Sequence, residues 1–209
     1  MCAGERMSAE LMTSDPNPIV SGRSCGTCTL CCKVLKIWEL DKPPGVWCRH
    51  CKPGSGCMIY SGRPQECRTF HCGYLTNPDL GEEWKPSHSK IVVVPDMEGK
   101  RIAVHVDVQR PDAWKREPYY SNLKRWAALA GVQRGQVVAY VGGRMYMIFP
   151  DRDVDLGMVG EGDWIMMDER MTSAGIKFEA HKLHKDDPRA QDLDAQQSGQ
   201  EVLRSKPTE

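Results

Sequence analysis

Apolar residues between positions 91 and 167 come in short β-branched runs that polar turns separate, a pattern typical of strands. Residues 91–94 and residues 102–106 form two such runs, and a turn signal at Glu98-Gly99 lies between them. Because the two runs are close in sequence and bounded by turn residues, they predict a β-hairpin.

A second hairpin is predicted further along the chain. Residues 137–141 and residues 145–149 flank Gly142-Gly143, and a two-residue glycine turn is typical of such a connection. Residues 164–167 read as a last strand. Four methionines lie in these runs, and we interpret them as core residues in preference to copper ligands: Met145, Met147, Met166 and Met167.

One amphipathic helix is predicted between the two hairpins, over residues 119–130. Its apolar positions follow helical spacing and share one face: Leu123, Trp126, Ala127 and Ala130. Gly131 is placed to cap the C-terminus of the helix. We expect the apolar face to cover the sheet.

The chain before residue 80 has a different texture. Residues 23–80 have few aliphatic runs and many glycines and prolines, so loops are expected. One short helix is predicted within residues 31–40, and Pro64 can open a helical turn that runs through Cys67 and Phe70. A segment of this composition buries little apolar surface and needs an external staple.

Charge gives no argument for an acidic partner. The chain has 28 Lys plus Arg and 28 Asp plus Glu, so we expect no nucleic-acid partner and no membrane surface. Residues 1–22 contain acidic residues and two prolines but no apolar stretch of signal-peptide or membrane-span length. We therefore expect a cytoplasmic location.

The strongest chemical signal is cysteine. Of ten cysteines, nine fall between residues 25 and 72. A reducing cytoplasm favours metal binding over disulfides, and an odd number of cysteines does not suit a closed disulfide framework. All nine are predicted metal ligands: Cys25, Cys28, Cys31, Cys32, Cys48, Cys51, Cys57, Cys67 and Cys72.

Two Cys-x-x-Cys steps stand out within this set. Cys25/Cys28 and Cys48/Cys51 are separated by 19 residues, which matches the spacing of structural zinc sites. A tight turn lets two thiolates reach one ion, and thiolate is a soft ligand that suits zinc and Fe–S clusters. A structural zinc ion stabilises small domains by about 10–16 kcal/mol of apparent binding free energy.

The remaining thiols leave alternatives open. Cys31 continues the spacing of Cys25 and Cys28, as at the start of ferredoxin-type motifs, but the fourth ligand of that motif is missing. Cys32 directly follows Cys31, and adjacent cysteines rarely serve one small ion. The pair indicates either two nearby metals, or one ligand and one packed thiol.

The motif Cys25-x-x-Cys28-x-x-Cys31-Cys32, followed by residues 57–68 in the pattern C-x-I-Y-x-x-R-P-x-x-C-R, resembles the CxxCxxCC zinc- or iron-chelating domain family, the YkgJ-type cysteine cluster proteins. The resemblance covers about residues 25–72. It implies metal chelation through these cysteines: Cys25, Cys28, Cys31 or Cys32, Cys51, Cys57 and Cys67. By the same comparison, Cys48 and Cys72 are additions to the common pattern.

The same family includes domains of flagellin lysine N-methylases, but methylation is not expected of this chain. Gly142-Gly143 lies inside a predicted hairpin, and no glycine-rich loop follows a strand to hold a cofactor such as S-adenosylmethionine.

Several residues beside the cysteines are candidates for supporting roles. Arg63 and Arg68 flank Cys67 and could offset thiolate charge or hold an anionic substrate, so both are predicted cofactor-binding residues; the alternative is a surface ion pair with Glu66. Tyr60 is interpreted as a core aromatic residue in preference to a catalytic phenol.

His50 and His71 neighbour cysteines, and each could replace a thiolate as a ligand. A thiol left over after metal binding, such as Cys32 or Cys72, could serve as a nucleophile.

Asp151, Asp153 and Asp155 alternate as in a calcium loop, but Leu156 and Gly162 stand where that loop needs its glycine and its bidentate acid. We interpret the segment as a solvated turn.

Together these signals predict an α+β fold. A loop-rich, metal-stapled cysteine module of residues 23–80 packs on a small antiparallel sheet with one covering helix, within residues 88–178. Residues 1–22 and residues 183–209 are predicted to be disordered tails.

The predicted function is metal binding by a thiolate cluster, structural or chelating, with Zn²⁺ ahead of iron. The alternatives are a redox or radical-type enzyme with an Fe–S cluster, and a module in which zinc shapes a docking surface for a protein partner. Catalytic residues cannot be assigned from the sequence.

Overall fold

The computed structural model describes residues 19–96, 100–172 and 175–189. The chain divides into two units, Met1–Asp155 and Leu156–Glu209. Most of both predicted tails, namely residues 1–18 and 190–209, lies outside the described residues, as does the turn signal at Glu98-Gly99.

The cysteine module (residues 23–80) and the segment after it consist of short elements. These are α1 (Cys31–Val34), β1 (Cys51–Lys52), β2 (Gly56–Cys57), α2 (Gln65–Thr69), α3 (Gly73–Thr76) and α4 (Pro86–Ser89), with 3₁₀ turns at Trp38–Leu40, Tyr60–Gly62 and Glu82–Trp84. The helix predicted within residues 31–40 is only one turn long, because Leu35 is already extended. The helical turn after Pro64 is confirmed as α2, with Pro64 at its N-cap.

A five-stranded sheet follows in the order β3-β4-β5-β6-β7. Its strands are β3 (Ile91–Asp96), β4 (Arg101–Val106), β5 (Gln136–Val141), β6 (Arg144–Ile148) and β7 (Asp153–Met158). Both predicted hairpins are confirmed, since β3 pairs antiparallel with β4, and β5 with β6. However, β4 and β5 pair in parallel, so the expectation of a purely antiparallel sheet is wrong for this pair.

The parallel pair depends on the helix between its strands. Helix α5 (Tyr119–Val132) crosses over the sheet and returns the chain in the same direction, as parallel strands require. Its predicted apolar face is buried: Leu123, Trp126, Ala127 and Ala130. Gly131 lies inside the helix and does not cap it. Instead, Arg134 adopts the left-handed conformation at φ 55°, and the Gly135 N–H donates to the Ala130 carbonyl at 2.8 Å.

Asp153 and Asp155 lie in β7, so the predicted solvated turn is wrong at these two positions. Their alternation follows the two-residue period of a strand. Lys124 Nζ donates to Asp153 Oδ1 at 2.7 Å, and Arg144 Nη2 to Asp155 Oδ2 at 2.6 Å.

The cysteine module and the sheet share one hydrophobic core. Leu30 and Val34 of the module belong to the same buried cluster as Trp84, Val104 of β4 and Leu123 of α5. The module therefore does not depend on its own apolar residues alone.

A buried ion pair also connects α1 to the chain after β4. Lys33 Nζ donates to Asp107 Oδ1 at 2.6 Å, and the two side chains are only 4% and 10% exposed. The same ammonium donates to Gln109 Oε1 at 2.9 Å. Because a buried charge is costly without a partner, this pair fixes the position of α1.

The second unit contains an antiparallel hairpin of β8 (Asp163–Thr172) and β9 (Gly175–His184). The strand predicted at residues 164–167 lies within β8. Strand β9 was not predicted; it ends at His184, past the predicted boundary at residue 178 and inside the tail predicted to be disordered from residue 183, so that prediction is wrong for Leu183 and His184. Within the described ranges, none of the helices has the length and apolar character that a membrane span requires.

Candidate metal centre

All nine cysteines predicted as ligands line one cavity, of about 270 Å³. We call it the thiol cavity. The nine thiols are free. Residues far apart in sequence are therefore brought together by the fold, while their role as ligands stays a prediction.

Both Cys-x-x-Cys steps form tight turns. The Cys28 N–H donates to the Cys25 carbonyl at 2.8 Å, and the Cys51 N–H to the Cys48 carbonyl at 3.0 Å. Each turn brings its two cysteines close together, as the Cys-x-x-Cys spacing predicts.

The second turn leads into the small hairpin of β1 and β2. Cys51 and Cys57 lie directly opposite each other in this antiparallel pair. Directly opposed residues project to the same face of a hairpin, about 4.5–5.5 Å apart at Cβ. The backbone of Cys48 also contacts α1, because its N–H donates to the Cys32 carbonyl at 2.9 Å.

Cys32, the second of the two adjacent cysteines in α1, has identifiable thiol neighbours. The Cys32 thiol has two hydrogen-bonding neighbours, the thiols of Cys31 and Cys51. The bond to Cys31, together with burial, raises the pKa of Cys32 well above its ordinary value. Cys32 therefore faces the Cys48–Cys51 turn.

Cys67 reaches the same group from α2. Its electrostatic neighbours among the thiols are Cys32, Cys48 and Cys57. Burial is the main cause that raises the pKa of Cys67, and these neighbours add to it because each thiolate disfavours the next. Strands β1 and β2 and helices α1 and α2 thus converge on one group of thiols.

A second group of thiols lies around Cys72, at the N-cap of α3. Its thiol neighbours are Cys25 and Cys28, and burial is the main cause that raises the pKa of Cys72 to about 11. Cys72 and Cys48 are the buried members of the nine. Cys48 and Cys72, which the family resemblance leaves outside the common pattern, are thus the least exposed of the nine.

Two polar side chains support the first group, and neither was predicted. The Thr29 hydroxyl accepts from the Gly54 N–H at 3.1 Å and donates to the Cys51 thiol. Burial and the neighbouring Cys32 nevertheless raise the pKa of Cys51 to about 12.

Lys42 is the other supporting residue. It is buried, and its ammonium donates to the carbonyls of Lys33, at 2.7 Å, and Leu35. Burial lowers the pKa of Lys42, which the nearby thiols Cys48 and Cys32 oppose. No motif marks Lys42, because a lysine beside two prolines reads as a solvated loop residue.

The two flanking arginines differ. Arg63 lines the thiol cavity, whereas Arg68 is exposed on α2 and is not among the lining residues. Arg63 Nε is buried and has no hydrogen-bond partner among the described residues. Its guanidinium carbon lies 4.0 Å from the centroid of the Tyr60 ring. Tyr60 is 64% exposed, so the prediction of a core aromatic residue is wrong.

The two candidate histidines, His50 and His71, also differ in their position relative to the cavity. His50 lines the cavity, and its Nε2 accepts from Arg49 Nε at 3.2 Å. His71 is exposed and does not line it.

The donor chemistry suits a thiophilic metal such as zinc or iron, because nine cysteines with soft sulfur atoms line one cavity. Across residues 19–96, 100–172 and 175–189, however, no three Cys, His, Asp or Glu side chains surround a common point as a ready ligand set. Ligation would need the thiols to move towards the ion.

Comparison of the chain with protein-family models, curated proteins and solved structures gives no match. The resemblance to the CxxCxxCC family therefore stays a prediction drawn from the spacing of residues 25–72.

Proposed function

We propose that this protein binds metal ions through the thiolates of the thiol cavity. Zn²⁺ is the first candidate, and iron, alone or in an Fe–S cluster, is the alternative. The observation that carries the proposal is that nine free cysteines from separate segments line one cavity. Such a concentration of soft ligands has no other common use in a reduced protein.

Four thiols are the best candidates for one ion. Cys32 and Cys48 each neighbour both Cys51 and Cys67, and zinc in structural sites takes four ligands in a tetrahedron. Because each thiolate carries one negative charge, four thiolates around Zn²⁺ give a site with a net charge of about −2. The buried ammonium of Lys42 lies where it can offset part of that charge.

The other group, around Cys72, could supply a second ion. Cys72 neighbours Cys25 and Cys28. Together they supply three of the four ligands that a closed zinc site needs. Cys25 also has Cys32 as an electrostatic neighbour, so the two groups adjoin in the same cavity.

The proposed role is structural. Helices α1 and α2 have four and five residues, which is too short for independent stability. An ion held by Cys32 in α1, Cys67 in α2 and the turn that ends at Cys51 would cross-link these elements.

Metal analysis of protein purified without oxygen tests the proposal. Zinc, iron and acid-labile sulfide are measured per chain, and the visible spectrum is recorded. We expect colourless protein with one or two zinc ions, in line with the two thiol groups. Iron with sulfide and broad visible absorption supports the Fe–S alternative.

Two variants test whether the metal lies in the thiol cavity. Cys51→Ser is expected to lose bound metal, whereas Cys2→Ser, at the one cysteine outside the cluster, keeps it. Protein that holds no metal, or equal metal content in both variants, contradicts the proposal.

A further inference from the structure

The thiol cavity is larger than a metal ion needs. Its volume is about 270 Å³, whereas one water molecule takes up about 30 Å³ of liquid. Small-molecule sites begin near this size, at about 300 Å³, and combine apolar walls with a few well-placed polar groups. The space therefore suits a small organic molecule beside the metal.

Part of the lining of the cavity has the apolar character of such a site. Leu35, Ile37, Ile59, Phe70 and Leu75 line the same cavity as the cysteines. Thiols and metal do not require this apolar surface, but the body of an organic ligand would bury it.

One polar group in this wall has a free donor. Arg63 Nε is buried against the cavity and makes no hydrogen bond to any described residue. A buried, unpaired N–H costs free energy, so such a group is expected to meet a partner. Tyr60 stacks over the guanidinium at 4.0 Å and fixes its plane.

The other charged residues of the cavity already have partners. Glu66 Oε2 accepts from the Trp38 N–H at 3.0 Å. Lys85 Nζ lies 3.7 Å from Glu82 Oε2, and Lys36 Nζ lies 3.0 Å from the centroid of the Trp38 ring. Arg63, an electrostatic neighbour of Cys25, thus has in Nε a buried donor without a hydrogen-bond partner among the described residues.

We propose that Arg63 binds the carboxylate of a small organic acid whose apolar body lies against Leu35, Ile59 and Phe70 in the thiol cavity. The inference rests on the proposed function, because it names the ligand that shares the cavity with the metal. One guanidinium balances one carboxylate, whereas a phosphate dianion beside thiolates would leave excess negative charge.

The experiment compares butyrate with butyramide, its neutral isostere, on metal-loaded protein by ligand-observed NMR titration. We expect saturable binding of butyrate, with butyramide at least about tenfold weaker, because a charge-assisted hydrogen bond is lost. Arg63→Gln is expected to weaken butyrate binding at least about tenfold. Arg68→Gln, on the exposed side of α2, should bind butyrate as the unmodified protein does.

Equal affinity for butyrate and butyramide, unchanged binding in Arg63→Gln, or tighter binding of inorganic phosphate overturns the carboxylate site. If Arg63→Gln does not fold, the comparison of butyrate with butyramide on the unmodified protein decides.

Metal content, measured on the same samples, separates the two proposals. Metal-loaded protein without saturable butyrate binding overturns the inference alone. Protein without metal that still binds butyrate through Arg63 overturns the proposed function alone.

Discussion

Strand β4 of the sheet and helix α1 of the cysteine module are both largely buried, but different interactions hold them. Val104 in β4 is fully buried, and β4 is paired along its length with β3 and with β5. Helix α1 has four residues and is positioned by the buried Lys33–Asp107 pair. The sheet thus depends on apolar burial and backbone pairing, whereas helix α1 combines the apolar contact of Val34 with a buried ion pair.

The two faces of the cysteine module show the same contrast. Leu30 and Val34 pack into the core that the module shares with the sheet, while the cavity face presents thiols. The face towards the sheet is thus stabilised by apolar burial, whereas the cavity face combines its thiols with apolar residues such as Leu35 and Phe70. The cavity face has the ligands that a metal would cross-link.

The largest expected effect is that of metal removal, which should act on the cysteine module far more than on the sheet. A chelator is expected to increase amide hydrogen exchange in α1, β1, β2 and α2, because structural zinc supplies about 10–16 kcal/mol of apparent binding free energy. Exchange in β4 and β5 should change much less, because their pairing does not involve the thiols. Hydrogen exchange followed by mass spectrometry measures both regions in one sample. Uniform loss of protection across the chain would show that the distinction does not exist.

The core is tested by truncating a tryptophan. Trp84 is buried and stacks on Trp126 at 5.0 Å, so Trp84→Ala is expected to cost about 3–5 kcal/mol of unfolding free energy. The loss should be similar with and without chelator, as measured by denaturant unfolding. Trp38→Ala is the matched control, because Trp38 is 61% exposed, and it should change stability little.

The connection between the regions is tested at Asp107. Asp107→Ala leaves Lys33 buried without its carboxylate and is expected to cost about 3–5 kcal/mol. The double variant Lys33→Met/Asp107→Leu should be less destabilised than Asp107→Ala, because it removes both charges. Asp155→Ala breaks the exposed pair with Arg144 and serves as the control, with a much smaller loss. Equal stability of Asp107→Ala and Asp155→Ala would contradict the role of the buried pair.

A smaller effect is expected at Thr29. Thr29→Val keeps the side-chain shape but removes the hydrogen bonds to Gly54 and Cys51, at a cost of about 1–3 kcal/mol. Thr29→Ser keeps the hydroxyl and should lie between Thr29→Val and the unmodified protein. Thermal unfolding of metal-loaded samples compares them, and an equal loss in Thr29→Val and Thr29→Ser would contradict the role of the hydroxyl.

How much the sequence predicted also differs between the two regions. The hairpins and α5 were predictable because β-branched runs, glycine turns and helical spacing are local signals. The parallel pairing of β4 with β5 was not, because it depends on where α5 packs. Strand β9 is not marked by a continuous apolar run, because its apolar positions alternate with charged residues.

In the candidate site, cysteine spacing predicted which residues come together but not how they are grouped. The sequence paired Cys25/Cys28 with Cys48/Cys51, whereas in the structure Cys32 and Cys67 are the thiol neighbours of Cys51 and Cys48. Lys42 gave no sequence signal, because its importance comes from burial that only the folded chain creates.

X-ray absorption at the metal edge, recorded on protein purified without oxygen, tests the central claim most directly. Thiolate ligation predicts a shell of sulfur scatterers, at about 2.3 Å for zinc, which weakens in Cys51→Ser and is unchanged in Cys2→Ser. A shell made only of oxygen or nitrogen, or the absence of any bound metal, would contradict the assignment of the thiol cavity as a metal centre.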